Sequence, residues 1–416
     1  MHLKPFIAGV YGSVVDYINL RHSGVFMTEI SCLEKKLAGY IGTAYAVALS
    51  SGNAALHLAV RLAAEKTYGK TALENGSLAG KKVFLPNFAD SSAAEIVISE
   101  GGEPVFVDAS AESWGMDPEV LEIAFDNYPE VKIVIASHIY GFPCQIDEIR
   151  NICDLNGALL IEDARDALGA GFLGKRAGSF GDYSALSFGK NRILDAGAGG
   201  ALLTNDEYSA ETARLWMIGS CYKSHQGNLE KVSYSYVISP LVVRKISEGL
   251  EKLDGKIKGR REVYETYAEK FPDYMIELNP IAEGAEPNFA QIAMTVESDI
   301  CFEEERYEDG YSYTSAHGTA APMQIIETLA REGLRAKPVY KPLSAQSEFM
   351  SCEDVTLDGK RSEYEFADNA SFFVRADESA RIWKNGVCLP MEIGKIDEAV
   401  DAVLRCFDLD AVSFKN

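Results

Sequence analysis

Short apolar segments alternate with amphipathic segments through the first half of the chain. Residues 44–49, 82–86, 104–108, 133–137 and 158–162 are apolar nearly throughout, which predicts buried strands. Helical spacing of apolar residues predicts a helix over 29–38, and further helices begin near Ala54, Ser92, Pro118 and Ile146. Strands that are apolar on both faces and alternate with helices predict a parallel α/β sheet covered on both sides.

The second half of the chain is more mixed. Two more strands are predicted at 184–188 and 200–204, and a long helix is predicted over about 240–267. Strand–helix units follow at 290–296, 312–333 and 387–407. We therefore predict a large domain over 1–245 and a smaller α/β C-terminal domain over 246–416, which includes the long connecting helix.

Composition narrows the class of protein. A net charge of −22, spread along the 416 residues, opposes binding to nucleic acid, which needs a basic face. No apolar run is long enough to span a membrane, and the N-terminus lacks the apolar stretch of a signal peptide. The eight cysteines form no C-x-x-C pair and no His cluster has metal spacing, so we expect reduced thiols, no metal site and a cytoplasmic location.

Two turns that follow predicted strands carry the first candidate binding residues. Ser51, Gly52 and Asn53 lie between a strand and a helix, where free backbone N–H groups and the helix dipole favour a phosphate. Asp163 follows the strand at 158–162, where a carboxylate can bind a ligand or cap the next helix. His138 follows the strand at 133–137, either as a catalytic group or as a hydrogen-bonded turn residue.

The segment from Ser187 to Asp195, followed by Gly199 and Gly200, resembles the cofactor-lysine segment of the DegT/DnrJ/EryC1/StrS family. These are sugar aminotransferases that use pyridoxal phosphate (PLP). The family's Schiff-base lysine lies five residues after the serine and about seven before the paired glycines, and both spacings lead to Arg192. A guanidinium stays protonated and cannot attack an aldehyde. Lys190 is the nearest amine, two positions early, and a shift of the loop at Gly189 could bring it into the lysine's role.

The resemblance covers nearly the whole chain, including 29–42 and 333–343. It implies the fold of type I PLP-dependent transferases, with a mostly parallel, seven-stranded sheet in the large domain. It also implies that Ser187 and the 51–53 turn bind the cofactor phosphate, and that Asp163 binds the ring nitrogen. The family's sites are shared across a dimer, so a homodimer is expected, or a heterodimer with a paralogue.

Several positions depart from the family pattern. Asp90 stands where an aromatic residue would stack on the ring, and Asp166 stands where a neutral donor would approach the ring hydroxyl. Ser235 and Val237 replace the asparagine and arginine that reach the partner's cofactor phosphate, and Ser344 replaces a histidine. These changes predict a rebuilt, ion-paired pocket that holds PLP or pyridoxamine phosphate without a covalent bond, or holds neither.

Three functional hypotheses remain. The first is a family enzyme of amino-sugar, antibiotic or surface-glycan biosynthesis, acting on a sugar or amino-acid-like small molecule, with lysine-dependent transamination absent or impaired. The second is a PLP-independent enzyme on the same scaffold that uses Asp90, Asp166 and Arg192. The third is a non-catalytic dimer partner of an active paralogue. Substrate specificity is expected in loops such as 219–232 and in the partner chain.

Overall fold

The computed structural model describes residues 24–69, 76–218, 234–271, 276–296, 302–307, 310–315, 319–359, 364–366, 372–374 and 377–407. The predicted specificity loop at 219–232 lies outside these ranges. The helices are α1 Gly24–Ile41, α2 Gly52–Tyr68, α3 Ser92–Ser99, α4 Pro118–Asn127, α5 Ile146–Leu155, α6 Glu207–Met217, α7 Pro240–Leu250, α8 Leu253–Lys270, α9 Pro322–Arg331, α10 Glu378–Asn385 and α11 Ile396–Phe407.

The strands of the first half are β1 Tyr45–Leu49, β2 Lys82–Pro86, β3 Glu103–Val107, β4 Ile133–Ser137, β5 Leu159–Asp163, β6 Gly171–Phe172, β7 Lys175–Arg176, β8 Tyr183–Ser187 and β9 Gly200–Thr204. Those of the second half are β10 Ile276–Leu278, β11 Ala285–Glu286, β12 Ala293–Val296, β13 Phe302–Tyr307, β14 Gly310–Ser315, β15 Lys337–Pro338, β16 Glu353–Val355, β17 Tyr364–Phe366, β18 Phe372–Val374 and β19 Gly386–Cys388.

The main sheet has eight strands in the described part of the chain, in the order β1-β9-β8-β5-β4-β2-β3-β16. β9 runs antiparallel to both of its neighbours, and the other pairings are parallel. The predicted mostly parallel α/β sheet is therefore confirmed. The eighth strand, β16, comes from the segment predicted as the small domain, and its three residues are too few to give a readable pattern.

Both faces of this sheet are buried, as the apolar strands predicted. In β1, Val47 and Leu49 belong to a core cluster that includes the apolar side of α2, whereas Ala46 and Ala48 belong to a second cluster that includes α1. One edge of the sheet holds the carboxyl ends of β1, β2, β4, β5 and β8, because these strands run in the same direction. Binding sites form at this edge in such folds.

The predicted long helix at 240–267 is two helices, α7 and α8, separated at residues 251–252. The turn lets Leu253 and Ile257 of α8 pack on Gly169, whose φ is +85° and where a Cβ would lie 2.5 Å from Ile257 Cδ1. Beyond α8, a four-stranded antiparallel sheet, β10-β12-β19-β15, shares a separate apolar core with α8, α9 and α11.

Candidate functional site

Arg165, which the sequence analysis did not single out, joins three of the predicted site residues. Its Nε and Nη2 donate to the two carboxylate oxygens of Asp163, at 2.7 and 2.8 Å. Its Nη1 donates to Asn53 Oδ1 at 2.5 Å, and its Nη2 lies 3.4 Å from Asp90 Oδ1. The bidentate pair is buried, since the side chains of Arg165 and Asp163 are only 4% and 7% exposed.

The electrostatics of this pair favour the charged forms. Burial alone would raise the pKa of Asp163, but the Arg165 guanidinium, helped by Arg192, holds it below its ordinary value. Burial likewise opposes the charge on Arg165, and the Asp163 carboxylate overcomes this and raises the pKa of the guanidinium. Paired and hydrogen-bonded burial is the condition under which such charges persist inside a protein.

The predicted phosphate seat lies beside this pair. Ser51 caps α2 by accepting a hydrogen bond from the Ala54 N–H at 3.1 Å. Gly52 approaches Ser187 so closely that a Cβ would lie 2.5 Å from Ser187 Cβ and 3.2 Å from Arg165 Cδ. The structure therefore brings Ser51, Gly52, Asn53, Asp163 and Ser187 to one place.

Arg192 lies in the loop after β8, and its Nη1 forms an ion pair with Asp166 Oδ1. Asp195 fixes this loop by accepting hydrogen bonds from the backbone N–H groups of Asn191 and Gly197, at 3.2 and 2.8 Å. Lys190 is exposed. The side chains of Arg192 and Asp166 are each a little over one fifth exposed, at 23% and 22%, so a solute can reach this pair.

His138 is directed away from the Arg165 cluster. It is fully buried, with Nε2 2.8 Å from Glu162 Oε1, and its Nδ1 accepts from the Cys144 N–H at 3.3 Å. Glu162 also accepts hydrogen bonds from Phe180 N and Gly181 N, so its carboxylate is enclosed by donors. This geometry suits a residue that holds the turn after β4.

Two stacked tyrosines lie near the Arg165 cluster. The rings of Tyr140 and Tyr340 lie 4.9 Å apart at 16°, and Tyr140 Oη accepts from the Tyr340 N–H at 3.0 Å. Burial, reinforced by Asp90, raises the pKa of Tyr340 to about 12. Asn288 holds the segment after β5, because its Nδ2 donates to the carbonyls of Asp166 and Leu168 at 2.8 and 2.9 Å.

The remaining predicted departures from the family pattern, at Ser235, Val237 and Ser344, lie outside the Arg165 cluster, whereas Asp90 belongs to it. Ser235 and Val237 are exposed, while Ser344 is buried and its N–H donates to Asn87 Oδ1 at 3.0 Å. Asp90, 42% exposed, accepts from the backbone N–H of Ser92 at 3.1 Å and from its hydroxyl.

As the residues are arranged, they do not fit PLP. The carboxylate that would meet a ring nitrogen has both oxygens bound by Arg165, and Arg192, at the position that the motif spacing predicts for the lysine, offers a guanidinium. The described residues contain no group of His, Cys, Asp and Glu that could hold a metal ion. None of the helices in the described ranges is both long and apolar enough to cross a membrane.

Known proteins resemble this chain over most of its length. The model of the DegT/DnrJ/EryC1/StrS aminotransferase family matches residues 21–371. EpsN of Bacillus subtilis, named as a candidate PLP-dependent aminotransferase, is 28% identical over 369 residues, which cover 87% of this chain and 82% of EpsN. The GDP-perosamine synthase of Caulobacter vibrioides is 28% identical over 320 residues, 77% of each chain.

A solved structure supports the same fold. The DegT DnrJ EryC1 StrS aminotransferase from Brucella abortus superimposes with a TM-score of 0.71 at 22% identity, covering 96% of this chain and 97% of that one. This likeness confirms the predicted fold of type I PLP-dependent transferases.

Proposed function

The chain belongs to the DegT/DnrJ/EryC1/StrS aminotransferase family, and we propose that it serves amino-sugar or surface-glycan biosynthesis without lysine-based transamination. The observation that supports this proposal is the ion pair of Arg192 with Asp166, because the motif spacing assigns Arg192 to the family's lysine position. A guanidinium remains protonated near neutral pH and does not form a Schiff base. The exposed Lys190 lies two residues away and makes none of the contacts of the pocket described above.

A nucleotide-linked sugar is the substrate class that we propose. The Caulobacter relative is named for GDP-perosamine, and the matching family is one of aminotransferases. The edge of the sheet offers groups suited to such a ligand: the N-terminus of α2 for a phosphate, and Asp90 and Arg192, which are partly exposed, for sugar hydroxyls or a carboxylate.

The Schiff-base part of the proposal is tested with the purified full chain and PLP. We expect no visible aldimine band, and after borohydride we expect no lysine carrying a reduced cofactor in peptide maps. A phosphopyridoxyl group found on Lys190 would overturn the proposal. The substrate part is tested by thermal shift and calorimetry with GDP- and UDP-linked sugars. At least one should bind, and its binding should weaken in Arg192→Gln; failure of every nucleotide sugar would exclude the substrate class.

Asp90 favours a second candidate, a PLP-independent acid–base step on the sugar. Of the three pocket aspartates it has the most exposed side chain, at 42%, compared with 22% for Asp166 and 7% for Asp163. An accessible carboxylate held by a serine and near an arginine can accept or deliver a proton. Turnover of a bound nucleotide sugar that Asp90→Asn abolishes, with binding retained, would support this candidate, and unchanged turnover would exclude it.

A further inference from the structure

Arg165 spans the distance between the two groups that would hold opposite ends of a cofactor. Its side chain passes Gly52, with Cδ 3.2 Å from where a Cβ would lie on that residue, and its guanidinium ends on Asp163. Gly52 and Ser187 belong to the predicted phosphate seat, and Asp163 is the predicted partner of the ring nitrogen. A planar ring with a phosphate arm would have to occupy the volume that Arg165 fills.

The guanidinium also gives Asp163 the same positive charge that a protonated pyridine ring would give it. A protonated pyridine nitrogen would present one N–H and a positive charge to Asp163, whereas Arg165 presents two N–H groups and a positive charge. Its remaining contacts reach Asn53 on the phosphate side and Asp90 on the side of the ring face. Asp163 is thus neutralised from within the chain.

We propose that Arg165 is an internal replacement for the ring of PLP, and that this residue, more than the loss of the lysine, closes the pocket to the cofactor. The inference deepens the proposed function and rests on it for the absence of a Schiff base in the wild-type protein. It makes Arg165 a specificity-determining residue, because it reserves the edge of the sheet for a ligand that does not need Asp163.

Displacement of Arg165 by a cofactor is opposed by the burial of its partner. Moving the guanidinium away would leave the buried Asp163 carboxylate without a compensating charge until the ring nitrogen arrived. It would also break the hydrogen bond to Asn53 and the contact with Asp90. Excess PLP is therefore not expected to open the wild-type site.

Four proteins test the proposal: wild type, R192K, R165A and the double variant R165A/R192K. Each is incubated with PLP, desalted, and assayed for retained cofactor by absorbance, with melting temperature measured across a PLP titration. We expect wild type and R192K to retain none and to show no shift in melting temperature. R165A should retain PLP non-covalently and melt at higher temperature as PLP is added. The double variant should develop a visible aldimine band that borohydride fixes on the introduced lysine.

The outcomes separate the two proposals. If R192K alone retains PLP as well as the double variant does, Arg165 does not close the site and the inference is wrong, while the proposed function stands. If wild type carries PLP on a lysine, the proposed function fails first. A folded R165A, judged by circular dichroism and gel filtration, that retains no PLP also overturns the inference.

Arg165→Ala leaves Asp163 without its partner and could prevent folding. Two further variants, in which Asp163 is neutralised, therefore provide a second test. D163N/R165A removes both charges and keeps the volume open, and D163N alone keeps Arg165 in place. If R165A does not fold, the proposal requires that D163N/R165A retain more PLP than D163N. Equal retention by the two would contradict it.

Discussion

Replacing Glu100 with glutamine tests how much a buried hydrogen-bond network stabilises the fold. This network reaches the segment that contains Ser235 and Val237. Glu100 follows α3, its side chain is 7% exposed, and its carboxylate accepts from His57 Nε2 at 2.7 Å and from Ser77 N at 2.8 Å. Arg61 Nη1 lies 3.2 Å from the same carboxylate. His57 Nδ1 in turn lies 3.1 Å from Tyr236 Oη, so the network reaches the segment directly.

The magnitude follows from the pKa of Glu100. Burial would raise this pKa, but hydrogen bonds from His57 and Ser77 and the charge of Arg61 lower it from 4.5 to about 2. At 1.36 kcal/mol for each tenfold change, the charged form stabilises the folded state by about 3 kcal/mol. Because the folded pKa is the lower one, this contribution is complete above pH 4.5 and is lost as the pH falls from 4.5 towards 2.

Urea unfolding followed by circular dichroism at pH 7 and pH 4 measures this contribution. We expect E100Q to lower the free energy of unfolding by about 3 kcal/mol at pH 7, and the difference from wild type to shrink by about 0.8 kcal/mol at pH 4. E95Q is the matched control, since Glu95 is an exposed residue of α3 that accepts from the Ser91 hydroxyl, and its cost should stay below about 0.5 kcal/mol. An E100Q cost no larger than that of E95Q, or equal at both pH values, would refute the reasoning.

Two further predictions concern the backbone and the thiols. Gly141→Ala should destabilise the protein by about 1–3 kcal/mol in urea unfolding, because Gly141 has φ +83° and a Cβ would lie 1.8 Å from Asn288 Oδ1. Gly39→Ala, in exposed helical backbone with nothing within 4 Å, should instead stabilise by about 0.5–1 kcal/mol, and a similar sign for both would contradict the prediction. Burial raises the pKa of Cys153 to about 12, so a thiol reagent at pH 8 should label the exposed Cys32 first. Peptide mapping that finds Cys153 labelled as fast would show that the core around α5 opens.

Local pattern was sufficient for the main sheet and for most of its helices. The predicted strands 82–86, 133–137 and 200–204 agree with β2, β4 and β9 at both ends, because their apolar runs are bounded by polar or glycine residues. Pattern failed at the α7–α8 boundary, where both sides are helical and the turn is accompanied by packing of Leu253 and Ile257 on the distant Gly169.

The sequence motifs named most residues of the candidate site but not the contacts between them. The motif that contains Asp163 predicted a carboxylate that binds a ligand. It gave no role to Arg165, two residues later. Its partners Asn53 and Asp90 lie 112 and 75 residues away along the chain, so no local pattern could pair them. One signal was present in the sequence: Asp163 directly follows a buried strand, and a buried charge of this kind needs a partner of opposite charge.

The pairings change the meaning of the departures from the family pattern. Taken one at a time, Asp90 and Asp166 are anions that would repel an anionic cofactor. In the structure each lies against a guanidinium, Asp90 near Arg165 and Asp166 with Arg192, and Asp163 completes a set of three carboxylates and two cations. Residues in such a network stabilise one another, and removing either guanidinium leaves a carboxylate without its partner. Neutralising Arg165 or Arg192 alone should therefore lower stability, whereas R192K keeps the charge beside Asp166. If Arg165 closes the site as proposed, a PLP aldimine should form only when Arg165 and Arg192 are changed together.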